Sequence, residues 1–141
     1  MLRAAALAFL LLALPSALSA ETPEPIKVVY QISEGVDQAA RAMANIRNEL
    51  EEAPDTKIVV VGLGAGVDFY LLGAKDKNGN PFDVTVEDLA SKGVAFEICG
   101  NTMKAHNLTM AQVLPQAHLV PSGMAEIAKR EFREHFAYLK P

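Results

Sequence analysis

The chain is predicted to be a small three-layer α/β domain, with a mainly parallel sheet of about five strands flanked by helices. Three observations predict it. Apolar runs alternate with helically spaced segments from Ile26 onward. The run Ile58-Val59-Val60-Val61 is continuously apolar, as a strand buried on both faces must be. About 120 residues remain once an N-terminal leader is set aside, enough for one domain with one core.

The leader comes first. Arg3 supplies a positive start, Ala4 to Leu14 form an uninterrupted apolar run, and Pro15-Ser16-Ala17-Leu18-Ser19-Ala20 resembles a small-residue processing site. Residues 1–20 therefore read as a signal peptide cut after Ala20 or Ser19, and the mature protein is expected in the periplasm or secreted. Spanning a bilayer takes about 20 apolar residues, roughly twice this run, so no membrane anchor is expected after processing. Residues 21–25, Glu21-Thr22-Pro23-Glu24-Pro25, form an extended leader held out of helix by the prolines. Residues 26–141 form the domain.

Ile26 to Ile32 reads as the first strand and Ser33-Glu34-Gly35 as the turn after it. Ala39, Ala40, Met43, Ile46 and Leu50 then share one helix face until Pro54-Asp55 closes it. Lys57 to Val61 is the second strand. Val67 to Leu72 suits a turn or two of helix, Asp76 to Pro81 an exposed turn, and Val84 to Lys92 a helix closed by Gly93. A strand follows, ending at Cys99, and Gly100 to His106 can form a short helix. Thr109 and Gln112 have capping-box spacing, and His118 to Val120 is a fourth strand. Ser122 can cap a last helix to about Glu134, with Met124, Ile127, Ala128 and Phe132 expected inward, and Phe136 to Leu139 adds an edge strand.

The formal charge is -4 and the Lys and Arg residues are scattered, which argues against a nucleic-acid partner, since neutralising phosphates needs clustered positive charge. Gly62-Leu63-Gly64-Ala65-Gly66 follows a strand, yet Val67 stands where a dinucleotide loop needs its third glycine, so it reads as a strand-to-helix turn. No cofactor is expected. Cys99 and His106 lack further ligands at usual spacing, so no metal is expected either.

Cys99 is the only cysteine. It leaves a strand and enters a helix, where the N–H groups of Asn101, Thr102 and Met103 favour the thiolate. Ligands collect at the carboxyl ends of parallel strands, so Cys99, Ser33, Gly62 and Ser122 are expected to border one shallow depression, with the sulfur in the open. Gly100, Asn101 and Thr102 join them as candidate binding or activating residues. Lys104 and His106 point elsewhere or lie too far along the helix, and Glu97 shares the Cys99 face, where its charge opposes ionisation. An inert core thiol is the rival reading, since free cysteine is among the most buried residue types.

The segment Phe96-Glu97-Ile98-Cys99-Gly100-Asn101-Thr102-Met103-Lys104-Ala105, with Val120-Pro121-Ser122-Gly123 and Phe136 to Pro141, resembles the DsrE/DsrF-like family of sulfur-relay proteins. Asn45-Ile46-Arg47-Asn48 is similar to that family's first helix. The resemblance implies a flavodoxin-like (DsrE-like) fold, a homotrimer or homohexamer, and a cysteine that carries sulfur as a persulfide. Only Cys99 receives a catalytic role from it, as in a sulfurtransferase-like carrier; Asn101 and Thr102 match without one. Sulfur-relay relatives act in the cytoplasm, whereas this chain has an export pattern, and His106-Asn107 stands where many relatives have a basic residue and a glycine. The function expected is an exported carrier that takes sulfane sulfur from a donor and passes it to a partner's thiol. The alternative is a non-enzymatic homo-oligomeric binding module without turnover.

Overall fold

Five strands pair in the order β4-β3-β2-β1-β5, with every neighbouring pair parallel. They are β1 (Lys27–Ile32), β2 (Lys57–Gly62), β3 (Ala95–Cys99), β4 (Ala117–Val120) and β5 (Ala137–Leu139). The structure is a computed structural model that describes residues 23–141; the expected signal peptide and the first two leader residues lie outside the described residues. Parallel neighbours need crossovers, and the helices supply them: α1 (Val36–Glu52), α2 (Phe82–Ser91), α3 (Gly100–Ala105) and α4 (Gly123–Glu134). The expected edge strand is present, on the far side of β1 from β2.

The two faces of the sheet are covered unequally. Val28, Tyr30, Ile32, Ile58, Val60, Phe96 and Ile98 point to one side, where they meet α1, α2 and a 3-10 segment at Gly64–Tyr70. The rings of Phe69, Tyr70, Phe82 and Phe96 stack there, and the Tyr70 hydroxyl donates to the Val60 carbonyl at 3.0 Å, so its polar end is satisfied inside the core. On the other side Val29, Val59 and Val61 meet Ile127 of α4.

The α1 face is as expected at Ala39, Met43 and Ile46, which are buried, whereas Ala40 and Leu50 are half-buried. Gln38 was not expected inside, yet it is 1% exposed. Its Oε1 accepts the Ser33 and Glu34 N–H groups at 2.7 and 2.8 Å, and its Nε2 donates to the carbonyls of Gln31 and Pro141 at 3.3 and 3.1 Å. Gly35 caps the helix with no side chain, so Gln38 satisfies the entering backbone instead.

Two expectations are corrected. Helix α2 starts at Phe82, because that ring joins the aromatic cluster, and Val84 is left 64% exposed. On α4 only Ile127 of the four expected inward residues is buried; Met124 is 57% and Phe132 85% exposed, and Ala128 is exposed too. The inward stripe is Gly123, Ile127 and Arg130, at i, i+4 and i+7, because a glycine lets the helix start lie on the sheet and Arg130 reaches a buried carboxylate.

Candidate functional site around Cys99

Cys99 is the last residue of β3 and the N-cap of α3, with extended backbone (φ -70, ψ 115). In the register it pairs with Val120, so the Pro121-Ser122 turn after β4 brings the start of α4 back over the end of β3. There the Gly123 N–H donates to Cys99 Sγ at 3.2 Å. A side chain at 123 would crowd this approach: its Cβ would lie 3.1 Å from Cys99 Cβ, 3.2 Å from Val61 Cγ1 and 3.3 Å from Leu63 Cβ, so each neighbour would have to give by a few tenths of an ångström.

The backbone N–H groups of Asn101 and Thr102 and the Thr102 hydroxyl also favour the ionised sulfur, although the Asn101 N–H is aligned on the Pro121 carbonyl oxygen at 3.2 Å. Thr102 Oγ1 accepts the Gly64 N–H at 3.0 Å, so its acceptor side is occupied and its proton is left for the sulfur. Burial is the largest single influence on the thiol and raises its pKa, but the donors from Gly123, Thr102 and Asn101 together outweigh it, and the thiol is held below its ordinary value. The expectation of an open sulfur is not met. Cys99 is 5% exposed, because α4 roofs the end of β3.

The structure brings Cys99, Gly100, Asn101 and Thr102 together, and Ser122 beside them through Gly123. Gly100 is buried where a Cβ would lie 3.1 Å from the Val120 carbonyl oxygen. Ser122 accepts the Ala125 N–H at 3.3 Å, which makes it the N-cap of α4. Met103, the third expected amide, instead contributes a buried side chain to the core. Neither Ser33 nor Gly62 contacts the sulfur, although the Ser33 carbonyl lies beside Gly64, whose N–H donates to Thr102. Ser33 follows β1, two strands from β3, where its N–H is held by Gln38. Gly62 registers with Ile98 on the opposite face, where a Cβ would lie 2.6 Å from Tyr70 Cε2. Among the described residues, one cleft includes Arg47, Asp76 and Thr85 and another runs along the outside of α4 past Ser122, Ala125 and Phe132; Cys99, Ser33 and Gly62 line neither.

Glu97 lies two residues before Cys99 on the same face, as expected, but it is buried and paired. Arg130 Nη2 donates to Glu97 Oε1 at 2.6 Å and Nη1 to Glu134 Oε2 at 2.8 Å. Its Nε lies 2.9 Å from Glu126 Oε1, at ion-pair distance without an aligned hydrogen bond, and its guanidinium sits 5.6 Å over the Phe136 ring. Burial pushes the Glu97 carboxyl above its ordinary range although Arg130 opposes the change. Sequence reasoning missed Arg130 and Gly123. The signals for Gly123 were its position one residue after a helix-capping serine and its place in the Val120-Pro121-Ser122-Gly123 segment of the family resemblance, neither of which assigned it a role. Lys104 and His106 are exposed at the end of α3, and among the described residues no group of three or more His, Cys, Asp or Glu could hold a metal ion.

An all-parallel α/β sheet with a hydrogen-bonded thiol at the carboxyl end of an inner strand defines the class of domain. The particular family follows from comparison: the model of the DsrE/DsrF-like family matches residues 26–132, and the chain belongs to that family. Among solved structures it is similar to MTH1491, a protein of unknown function from Methanobacterium thermoautotrophicum, with 26% identity and a TM-score of 0.73 over 82% of this chain and 99% of that one. It is also similar to the ychN protein from E. coli, with 14% identity and a TM-score of 0.61 over 83% of this chain and 98% of that one, a likeness of fold. No curated protein matches it.

Proposed function

We propose that this protein is an exported sulfur carrier that uses Cys99 to accept and pass on sulfane sulfur. The observation that carries the reading is the Gly123 N–H donating to Cys99 Sγ at 3.2 Å, which with the influence of Asn101 and Thr102 holds the thiol below its ordinary pKa and so raises its thiolate fraction. Membership in the DsrE/DsrF-like family supports it. In the first step the Cys99 thiolate attacks the outer sulfur of a persulfide or polysulfide donor. The S–S bond of the donor breaks, its inner sulfur leaves as a thiolate, and Cys99 becomes a persulfide. A partner's thiolate then attacks the outer sulfur, takes it as a new persulfide, and returns Cys99 to the thiolate. No net oxidation occurs, and no cofactor is called for. Export follows from the pattern of residues 1–20, and the compartment proposed is the periplasm or the exterior.

We further propose a homotrimer or homohexamer, supported by the apolar outer face of α4, where Met124, Ala128 and Phe132 lie uncovered by the chain. One observation favours the rival reading of a non-enzymatic binding module, namely that Cys99 is buried. Polysulfide treatment followed by intact-mass measurement separates them. A carrier gains the mass of a sulfur atom, loses it to an added thiol, and gains nothing as Cys99→Ser. A binding module stays at its unmodified mass, which would overturn the proposal.

A further inference from the structure

We infer that the Glu97–Arg130 ion pair positions α4 so that the Gly123 N–H meets Cys99 Sγ. Both are then positioning residues for the sulfur, neither touching it. The inference rests on Cys99 being the reacting group, as proposed above.

The geometry leaves α4 few ways to be held. Its inward stripe is Gly123, Ile127 and Arg130, and these three residues span about 10 Å of helix axis. Gly123 lies on Cys99, Val61 and Leu63, and Ile127 lies among Val29, Val59 and Val61. Both contacts are apolar or made to backbone, so they permit the helix to roll or slide on a smooth valine surface. Arg130 supplies the shortest directional contact between α4 and the sheet, with Nη2 2.6 Å from Glu97 Oε1, beside the longer bond that Lys27 Nζ of β1 donates to the Glu134 carbonyl at 3.4 Å. On the helix side Arg130 is braced by the ion pairs with Glu126 and Glu134, so the guanidinium is held to α4 while Nη2 donates to the sheet. Glu97 and Cys99 are alternate residues of β3 on one face, so the strand holds the latch and the sulfur at a set spacing. The charged and titratable groups around Glu97 are Arg130, Glu126 and Lys129 from α4, the exposed His118, its register neighbour on β4, and the buried Tyr70 hydroxyl from the 3-10 segment on the other face.

A simple charge effect makes the opposite prediction. Glu97 as a nearby negative charge opposes thiolate formation, so removing it should lower the Cys99 pKa. If Glu97 works through α4, removing its oxygens should raise that pKa, because the Gly123 donor is lost.

The experiment is the pH profile of Cys99 alkylation by iodoacetamide in the full chain, for wild type, Glu97→Met and Glu97→Gln. Glu97→Met keeps the side-chain length and removes the acceptor; Glu97→Gln keeps an acceptor for Nη2. The expected result is a midpoint raised by about one pH unit in Glu97→Met, the consequence of losing one hydrogen bond to a charged sulfur, with a faster plateau rate at high pH because the roof is loosened. Glu97→Gln stays near or below the wild-type midpoint. Equal behaviour of the two variants, whether unchanged or lowered, overturns the inference. Should Glu97→Met not fold, Arg130→Gln tests the same link through the Gly123 amide proton resonance. Its dependence on Cys99 ionisation is expected to be lost, and an undiminished dependence overturns the inference. A wild-type midpoint at the ordinary thiol value would overturn the sulfur-carrier reading itself, before any variant is compared.

Discussion

Thr102→Val is the substitution whose consequence the site defines most sharply. Valine keeps the shape and β-branching of threonine and removes only the hydroxyl. Two interactions go with it: the hydrogen bond that Thr102 accepts from the Gly64 N–H at 3.0 Å, and the donor influence by which its hydroxyl lowers the Cys99 pKa. The second is made to a charged group, for which the net contribution is about 1.5 kcal/mol at the low end, so the Cys99 pKa should rise by about one unit. Alkylation at pH 7 then slows by up to about tenfold, while the plateau at high pH is unchanged because access is unchanged. The first is an ordinary neutral bond, and its loss should lower stability by about 1 kcal/mol. The assay is the rate of iodoacetamide labelling across pH, followed by mass spectrometry, with urea denaturation alongside. Thr102→Ser, which keeps the hydroxyl, should restore the wild-type midpoint. A midpoint in Thr102→Val equal to or below wild type would refute the argument that side-chain and backbone donors set the ionisation of this thiol.

Gly66→Ala drives a methyl group into the Ile32 carbonyl, which is backbone and cannot yield, so a loss of at least about 3 kcal/mol or failure to fold is expected by urea denaturation. Gln38→Leu strands the Ser33 and Glu34 N–H groups and should cost about 3 kcal/mol in the same assay, with no change in Cys99 alkylation. The Cys99 thiol is lowered in the folded state, so its contribution to stability is present above the unfolded-state value near about 8.5 and is lost as pH falls through the lower folded value. The stability of wild type relative to Cys99→Ala, measured between pH 5 and pH 9 (about the range that brackets thiol ionisation), should therefore grow with pH and then level off; a flat difference contradicts the shift. Under the proposed homo-oligomer, Phe132→Lys removes a ring whose burial is worth about 2 kcal/mol, so sedimentation equilibrium should show self-association weakened by about tenfold or more, and an unchanged association would count against that assembly.

The strands were legible because valine-rich runs are read the same way in any context, and the register of β1, β2 and β3 places those runs side by side. The α1 face was legible for a similar reason, apart from Gln38, which counts as polar in any periodicity yet is buried because it caps backbone that no serine or aspartate caps. Periodicity misread α4. Met124, Ala128 and Phe132 form an apolar stripe, but the side that meets the sheet is built from glycine and arginine, neither of which registers as apolar. At the site, Cys99 and its own helix were readable as local sequence. Gly123 was not, because its approach depends on β4 lying next to β3, a long-range fact that no local pattern encodes. Ser33 and Gly62 failed for the same reason in reverse: standing at the carboxyl end of a strand says nothing about which face, or how many strands away, at about 4.8 Å each.

The central claim is that the Cys99 thiol is held below its ordinary pKa by peptide and hydroxyl donors. Its direct test is the thiolate ultraviolet absorbance of the folded wild-type protein titrated against Cys99→Ser, since the chain has no other thiol to contribute. A midpoint clearly below the free-cysteine value of about 8.5 is predicted. A midpoint at or above that value would mean that burial outweighs the donors, and the account of this site would be wrong.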